Sequence, residues 1–161
     1  TAPGPVRNPK WSPDGTRIMM SMGNPTTDPP HSSLYMYTVS TGVFEDVVPA
    51  PGLDENPSWS PVKINGSYLV AFDSTRWDIF QYSHHIFILN PDTMTIVGEI
   101  DAGDGKSLHH PTWSSDGRYL IFDMYDGEDQ ELYLYKFETG DITQVTDNDI
   151  YDGCASWCWH W

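Results

Sequence analysis

A tryptophan-centred phrase recurs along this chain of 161 residues. Residues 8–18 read NPKWSPDGTRI, residues 110–121 read HPTWSSDGRYLI, and residues 56–70 carry a stretched copy, NPSWSPVKINGSYLV. A fourth copy opens at Cys154-Ala155-Ser156-Trp157. The aligned tryptophans, Trp11, Trp59, Trp113 and Trp157, stand 48, 54 and 44 residues apart. Such intervals fit one four-stranded blade of about 40 to 50 residues. No other feature constrains the fold as much, because a unit of this kind cannot bury its apolar face alone and must stack on its neighbours.

Each copy divides in the same way. The stretches Pro9 to Ser12, Pro57 to Ser60 and Pro111 to Ser114 are expected to open a first strand, with the proline at its start, where no ladder hydrogen bond needs the missing N–H. A tight turn follows: Ser12-Pro13-Asp14-Gly15 in the first copy and Ser114-Ser115-Asp116-Gly117 in the third. The middle copy inserts three residues and turns at Asn65-Gly66, a strong hairpin dipeptide. Apolar runs then predict second strands (Ile18 to Ser21, Leu69 to Phe72, Leu120 to Asp123) and third strands (Leu34 to Tyr37, Ile86 to Leu89, Leu132 to Tyr135). Their near-continuous hydrophobicity suits strands buried on both faces. Turns at Thr41-Gly42, Asp92-Thr93 and Thr139-Gly140 lead into more polar fourth strands, as expected of exposed edges. No segment carries a sustained helical stripe.

Composition agrees with an all-β chain. There are 13 Pro and 13 Gly beside 9 Tyr and 7 Trp, which favours short strands and tight turns. The net charge of −15 disfavours nucleic acid and anionic bilayers as partners, since both are held by clustered Lys and Arg. No apolar run approaches the roughly 20 residues of a spanning helix, so membrane insertion is not expected. Cys154 and Cys158, the two cysteines, both lie in the last eight residues. A Trp- and Tyr-rich acidic β-domain with little Lys fits an extracytoplasmic setting, periplasmic or secreted.

The order Pro-x-Trp-Ser-Pro-Asp-Gly, apolar strand, Leu-Tyr-x-Tyr, Thr-Gly resembles the PD40 or TolB-like version of the WD40-like β-propeller repeat, from about Pro5 to Trp161. The resemblance implies an all-β propeller with blades at about 5–52, 53–106 and 107–150, and the start of another at 151–161. A sialidase Asp-box would continue into Thr-Trp, whereas here the Trp precedes the Ser. Propellers have about four to eight blades, so three blades and one strand leave the ring open. With no initiator Met at Thr1 and a repeat interrupted after one strand, the chain reads as part of a six- to eight-bladed propeller. The alternative is an oligomer whose copies complete each other.

On this fold, the loops between second and third strands and those between blades should gather on one rim. They carry His31, Asp78, His84, His85, Asp104, His109, His110, Asp149 and Asp152 as candidate binding residues. An acidic, His-bearing rim selects a cationic partner or a metal. For metal, Asp126-Gly127-Glu128-Asp129 offers the best calcium-like patch, with several oxygens about a glycine turn. The pairs His84-His85 and His109-His110 could supply imidazoles to zinc or copper. Neighbours in a strand face opposite sides, however, so at most one of each pair is expected to point inward. His110 fills the place of Asn8 and Asn56, which favours a hydrogen-bonding role. The tail Cys154-x-x-x-Cys158-x-His160 could contribute to a metal site, to a disulfide with further sequence, or to neither.

No Gly-x-Ser-x-Gly elbow, His-Glu-x-x-His helix or phosphate-binding glycine loop occurs, and no cofactor beyond calcium is suggested. The expected function is a non-catalytic binding or scaffolding module that recognises a protein partner or other chains of a complex. Its alternative is the non-catalytic propeller of a larger enzyme, such as a prolyl-oligopeptidase-type peptidase or a propeller-bearing redox protein. A third reading is carbohydrate binding through Trp77, Tyr82, Tyr125 and Trp159.

Overall fold

Strands rich in apolar and β-branched residues, joined by turns of a few residues, pair with their sequence neighbours. The computed structural model, which describes residues 4–24, 31–76 and 83–157, has that arrangement throughout. The first sheet contains β1 (Val6–Trp11), β2 (Arg17–Asn24), β3 (His31–Thr38) and β4 (Val43–Asp46). The second contains β5 (Asp54–Trp59), β6 (Val70–Ser74), β7 (His85–Asn90) and β8 (Thr95–Ile100). The third contains β9 (Ser107–Trp113), β10 (Tyr119–Tyr125), β11 (Gln130–Lys136) and β12 (Ile142–Gln144). Each sheet is an antiparallel meander in chain order, and no helix occurs among the described residues. The chain is thus an open part of a β-propeller with three four-stranded blades.

Strand β5 packs on β1, β2 and β3, and β9 packs on β5, β6 and β7. Two apolar seams result. Met19, Leu34, Met36, Trp59, Phe72 and Phe87 fill the seam between blades 1 and 2. Ala71, Ile86, Leu108, Trp113, Leu120 and Phe122 fill the seam between blades 2 and 3. Successive residues of β6 therefore enter opposite seams, and the whole strand is buried, as its apolar run predicts. Burying one such Leu, Ile or Phe side chain contributes roughly 1.5–3 kcal/mol.

The prolines are not at the strand starts. Pro9, Pro57 and Pro111 lie inside β1, β5 and β9, at register shifts in the pairing with β2, β6 and β10. Immediately before them, Asn8, Asn56 and His110 have φ of 49°, 50° and 51°. This is a β-bulge, in which the ladder is already interrupted and the missing proline N–H costs nothing. Cys154, with φ 55°, repeats the backbone conformation in the fourth phrase, although residues 151–157 form no strand.

In the turn, the Ser12 hydroxyl donates to Asp14 Oδ1 (2.7 Å) and accepts the Arg17 amide (2.9 Å), while Asp14 also accepts the Thr16 amide (3.1 Å). Hydrogen bonds from Thr16 and Ser12 hold the Asp14 carboxyl down to about 2. Ser114 and Asp116 repeat the arrangement at 2.6 Å, with Tyr119 and Arg118 as amide donors at 3.0 Å each. Gly117 is doubly required: its φ is +71°, and a Cβ there would stand 2.6 Å from Val62 of the middle copy's insertion. Asn65 (φ 51°) and Gly66 (φ 93°) turn that insertion.

Trp59 and Trp113 are buried between blades, and Trp59 Nε1 donates to the Lys10 carbonyl of the preceding blade (3.0 Å). Trp157 does the same to the Thr112 carbonyl (3.2 Å). Trp11 departs from this packing role. It is 60% exposed, because no described blade precedes its own.

Candidate functional site

The second strands carry one slot whose chemistry differs from that of the surrounding core. Ser21, Asp73 and Asp123 occupy it in successive blades, three residues beyond the partner of the tryptophan in the pairs Trp11–Ile18, Trp59–Val70 and Trp113–Leu120. All three are at most 1% exposed. A buried carboxylate persists only where donors or cations surround it, so its partners define the site.

Around Asp73, the His84 ring places Nδ1 3.1 Å from Oδ2, and His109 places Nδ1 3.8 Å from the same oxygen. The two imidazoles lie 4.4 Å apart between centroids, at 47°. His84 comes from the segment entering β7 of blade 2, and His109 from β9 of blade 3. Ser107 fixes both: its hydroxyl lies 2.8 Å from His109 Nε2 and accepts the His84 amide at 3.0 Å. The Leu108 amide donates to the His84 carbonyl at 2.8 Å. Burial pushes the Asp73 carboxyl up, but hydrogen bonds from His109 and His84, with their charge, outweigh it and hold the group below the usual carboxylate range. Asp73 Oδ1 is buried with no hydrogen-bond partner.

Around Asp123, His110 Nδ1 lies 3.0 Å from Oδ1, the Gln130 amide donates to Oδ2, and the Cys154 backbone amide donates to Oδ1 at 3.2 Å. The hydrogen bond to Asp123 raises the His110 ring, burial opposes this, and the charges of Asp123, Asp73 and Glu55 raise it further.

For His84 and His85, the alternation of strand faces holds. His85 turns away, to Glu99 (2.8 Å) and Asp101 (3.9 Å). It fails for His109 and His110, which both reach buried acids, because the bulge at His110 interrupts the alternation between them.

Above these groups, a cavity of about 820 Å³ opens at the rim between blades 2 and 3. Its walls include His85, Asp101, Asp104, His109, Tyr125 and Gln130. A second cavity, of about 860 Å³, follows the inner strands past Asn8, Asn56, His110 and Cys154. There the Asn8 side-chain amide donates to Asn56 Oδ1 at 2.7 Å, from blade 1 to blade 2.

The remaining candidates lie apart. His31 starts β3 in blade 1. Asp149 is exposed in the loop after β12, while Asp152 accepts the Asn148 side-chain amide (2.9 Å) and donates its own amide to the Gln130 carbonyl (2.9 Å). Asp126 folds back on its own turn, its Oδ1 accepting the amides of Glu128 (3.1 Å) and Asp129 (3.4 Å). Asp129 is raised by partial desolvation and then by the charges of Glu131, Asp126, Glu128 and Asp147. Cys154 is exposed. Asp78, Trp77, Tyr82, Cys158, Trp159 and His160 lie outside the described residues. The sequence reading missed Asp73 as a site residue, although an acid ends the apolar second strand in two of three copies.

No protein-family model matches the chain. A short segment is 39% identical over 36 residues to the Tol-Pal system protein TolB of Francisella tularensis, covering 22% of this chain and 8% of that protein. The whole fold is similar to TolB from Acinetobacter baumannii, with a TM-score of 0.72 at 21% identity over 95% of this chain and 35% of that one. It is also similar to a protein described as TolB from Agrobacterium tumefaciens, with a TM-score of 0.70 at 20% identity, over 89% of this chain and 50% of that one. The β-propeller domain of the trilobed protease from Pyrococcus furiosus aligns with a TM-score of 0.60 at 12% identity, over 87% and 42%. The chain has the fold of TolB and other PD40-type β-propellers. It spans half or less of the length of these proteins.

Proposed function

We propose that this chain is part of a non-catalytic β-propeller, outside the cytoplasm, that binds a protein partner through its loop rim. The rim cavity between blades 2 and 3 carries this reading. Asp101 and Asp104 on its wall, in a chain of net charge −15, favour a cationic segment, and Tyr125, 43% exposed, offers an aromatic anchor beside them. The likeness to TolB folds supports a binding module, and no helix among the described residues is long and apolar enough to cross a membrane.

A photo-crosslinking residue placed at Asp104 or Tyr125 of the native polypeptide, in its own cells, should yield an adduct with a discrete protein. The same residue at Val97, 54% exposed on the outer strand β8, should not. Equal adducts from both places, or none from the rim, would remove the reading. The match to a protease's propeller favours a second reading, in which the chain serves a larger enzyme. The mass and full sequence of the native polypeptide separate the two, since a hydrolase domain on the same chain selects the second.

A further inference from the structure

The structure assigns a divalent transition-metal site to Asp73, His84 and His109, clasping blade 2 to blade 3 beneath the rim cavity. Among the described residues, these three form a group in which one ligand atom from each lies within 4.8 Å of the others. Ligand atoms on a tetrahedral zinc ion, with bonds of about 2.0–2.1 Å, stand roughly 3.3 Å apart. The oxygen-to-nitrogen distances of 3.1 and 3.8 Å from Asp73 to His84 and His109 need only small adjustment to receive it.

Asp73 is completely buried and its Oδ1 has no partner. A cation shared by Oδ2 and the two imidazoles compensates the charge of a carboxylate that is only half satisfied by hydrogen bonds, whereas Asp123 has both oxygens satisfied. The surrounding contacts point the same way. Imidazoles that bind metal are usually held through their second ring nitrogen, and here Ser107 holds the far nitrogen of His109 while it also accepts the backbone amide of His84. His109 also lines the rim cavity, which supplies an entry path and room for a water as fourth ligand. Two imidazoles and one carboxylate suit zinc and its neighbours in the first transition row. Calcium, which takes six to eight oxygens, is poorly matched.

The test is zinc titration of the chelator-stripped full chain by calorimetry, with cobalt as a spectroscopic substitute and calcium as the control. One zinc per chain is expected, with the visible absorption of four-coordinate cobalt and a higher Tm on binding. His109→Gln should weaken zinc on the order of 100-fold, whereas His85→Gln should bind as the parent does. Should Asp73→Asn fail to fold, His109→Gln carries the test, because the His109 side chain is 24% exposed. Absence of saturable zinc binding overturns the assignment, as does unchanged affinity in His109→Gln. Zinc lost with Cys154→Ser instead belongs to the tail and also overturns it. None of these outcomes depends on whether the rim binds a protein.

Discussion

The seam between blades 2 and 3 and the junction where the fourth phrase meets blade 3 are built from the same parts. In the first, Trp113 is 2% exposed against Leu108 and Phe122, and Asp73 faces two imidazoles. In the second, Trp157 is half-buried with its indole N–H on the Thr112 carbonyl, and Asp123 is met by a histidine, an amide side chain and a backbone N–H. The repeat therefore fixes where a tryptophan and an acid stand, while the energy and chemistry of each depend on what the neighbouring blade brings. One phrase supports two different outcomes.

The sharpest break in this comparison lies in the tryptophans. Trp113→Ala should destabilise the chain by about 3–5 kcal/mol, the usual loss for a large aromatic removed from a packed core. Trp157→Ala should cost no more than about 1 kcal/mol, since it loses one hydrogen bond and partial burial. Denaturant unfolding of the two variants beside the parent measures the difference. Equal losses would mean that the tail junction is packed as tightly as the inner seam.

A smaller effect separates the two acids. Asp123→Asn leaves at least one of its donors facing an amide N–H, and a mispaired buried group costs about 1–3 kcal/mol. In metal-free protein, Asp73→Asn should cost less, because Oδ1 has no partner to lose and the new amide can donate to an imidazole. Unfolding curves recorded in chelator test the order. A larger loss at Asp73 would show that its unpaired oxygen is satisfied in solution.

The sequence made the blades legible because strand pairing and turns depend on local residue types that recur in phase. Trp59, Gly117 and Asn65 could be assigned their places from spelling alone. The bulge was not legible. Asn-Pro reads equally well as a strand entry, and only the paired register shows that β1, β5 and β9 begin earlier and kink there. That kink in turn hid the site, since the rule of alternating faces separates His109 from His110. Nor could spacing bring Asp73 to His109, 36 residues away and on another blade. The exposure of Trp11 was not legible for a related reason: its phrase matches the others, but burial depends on a preceding blade, and none is among the described residues.

The smallest effect concerns protonation at the tail junction. His110 is raised by its hydrogen bond to Asp123, against burial and with further help from Asp123, Asp73 and Glu55. A histidine raised on folding contributes stability that is fully present below its unfolded value near 6.5 and is lost as pH rises through the folded value. His110→Asn removes that contribution without straining the backbone, because asparagine already occupies the same left-handed place at Asn8 (φ 49°) and Asn56 (φ 50°). The difference in stability between parent and variant should therefore be largest near pH 5.5 and shrink towards pH 8, whatever other groups common to both proteins titrate. Chemical denaturation at several pH values follows that difference. A gap that stayed constant or widened with pH would mean that His110 meets Asp123 as a neutral ring, and that the junction is held by the hydrogen bond alone.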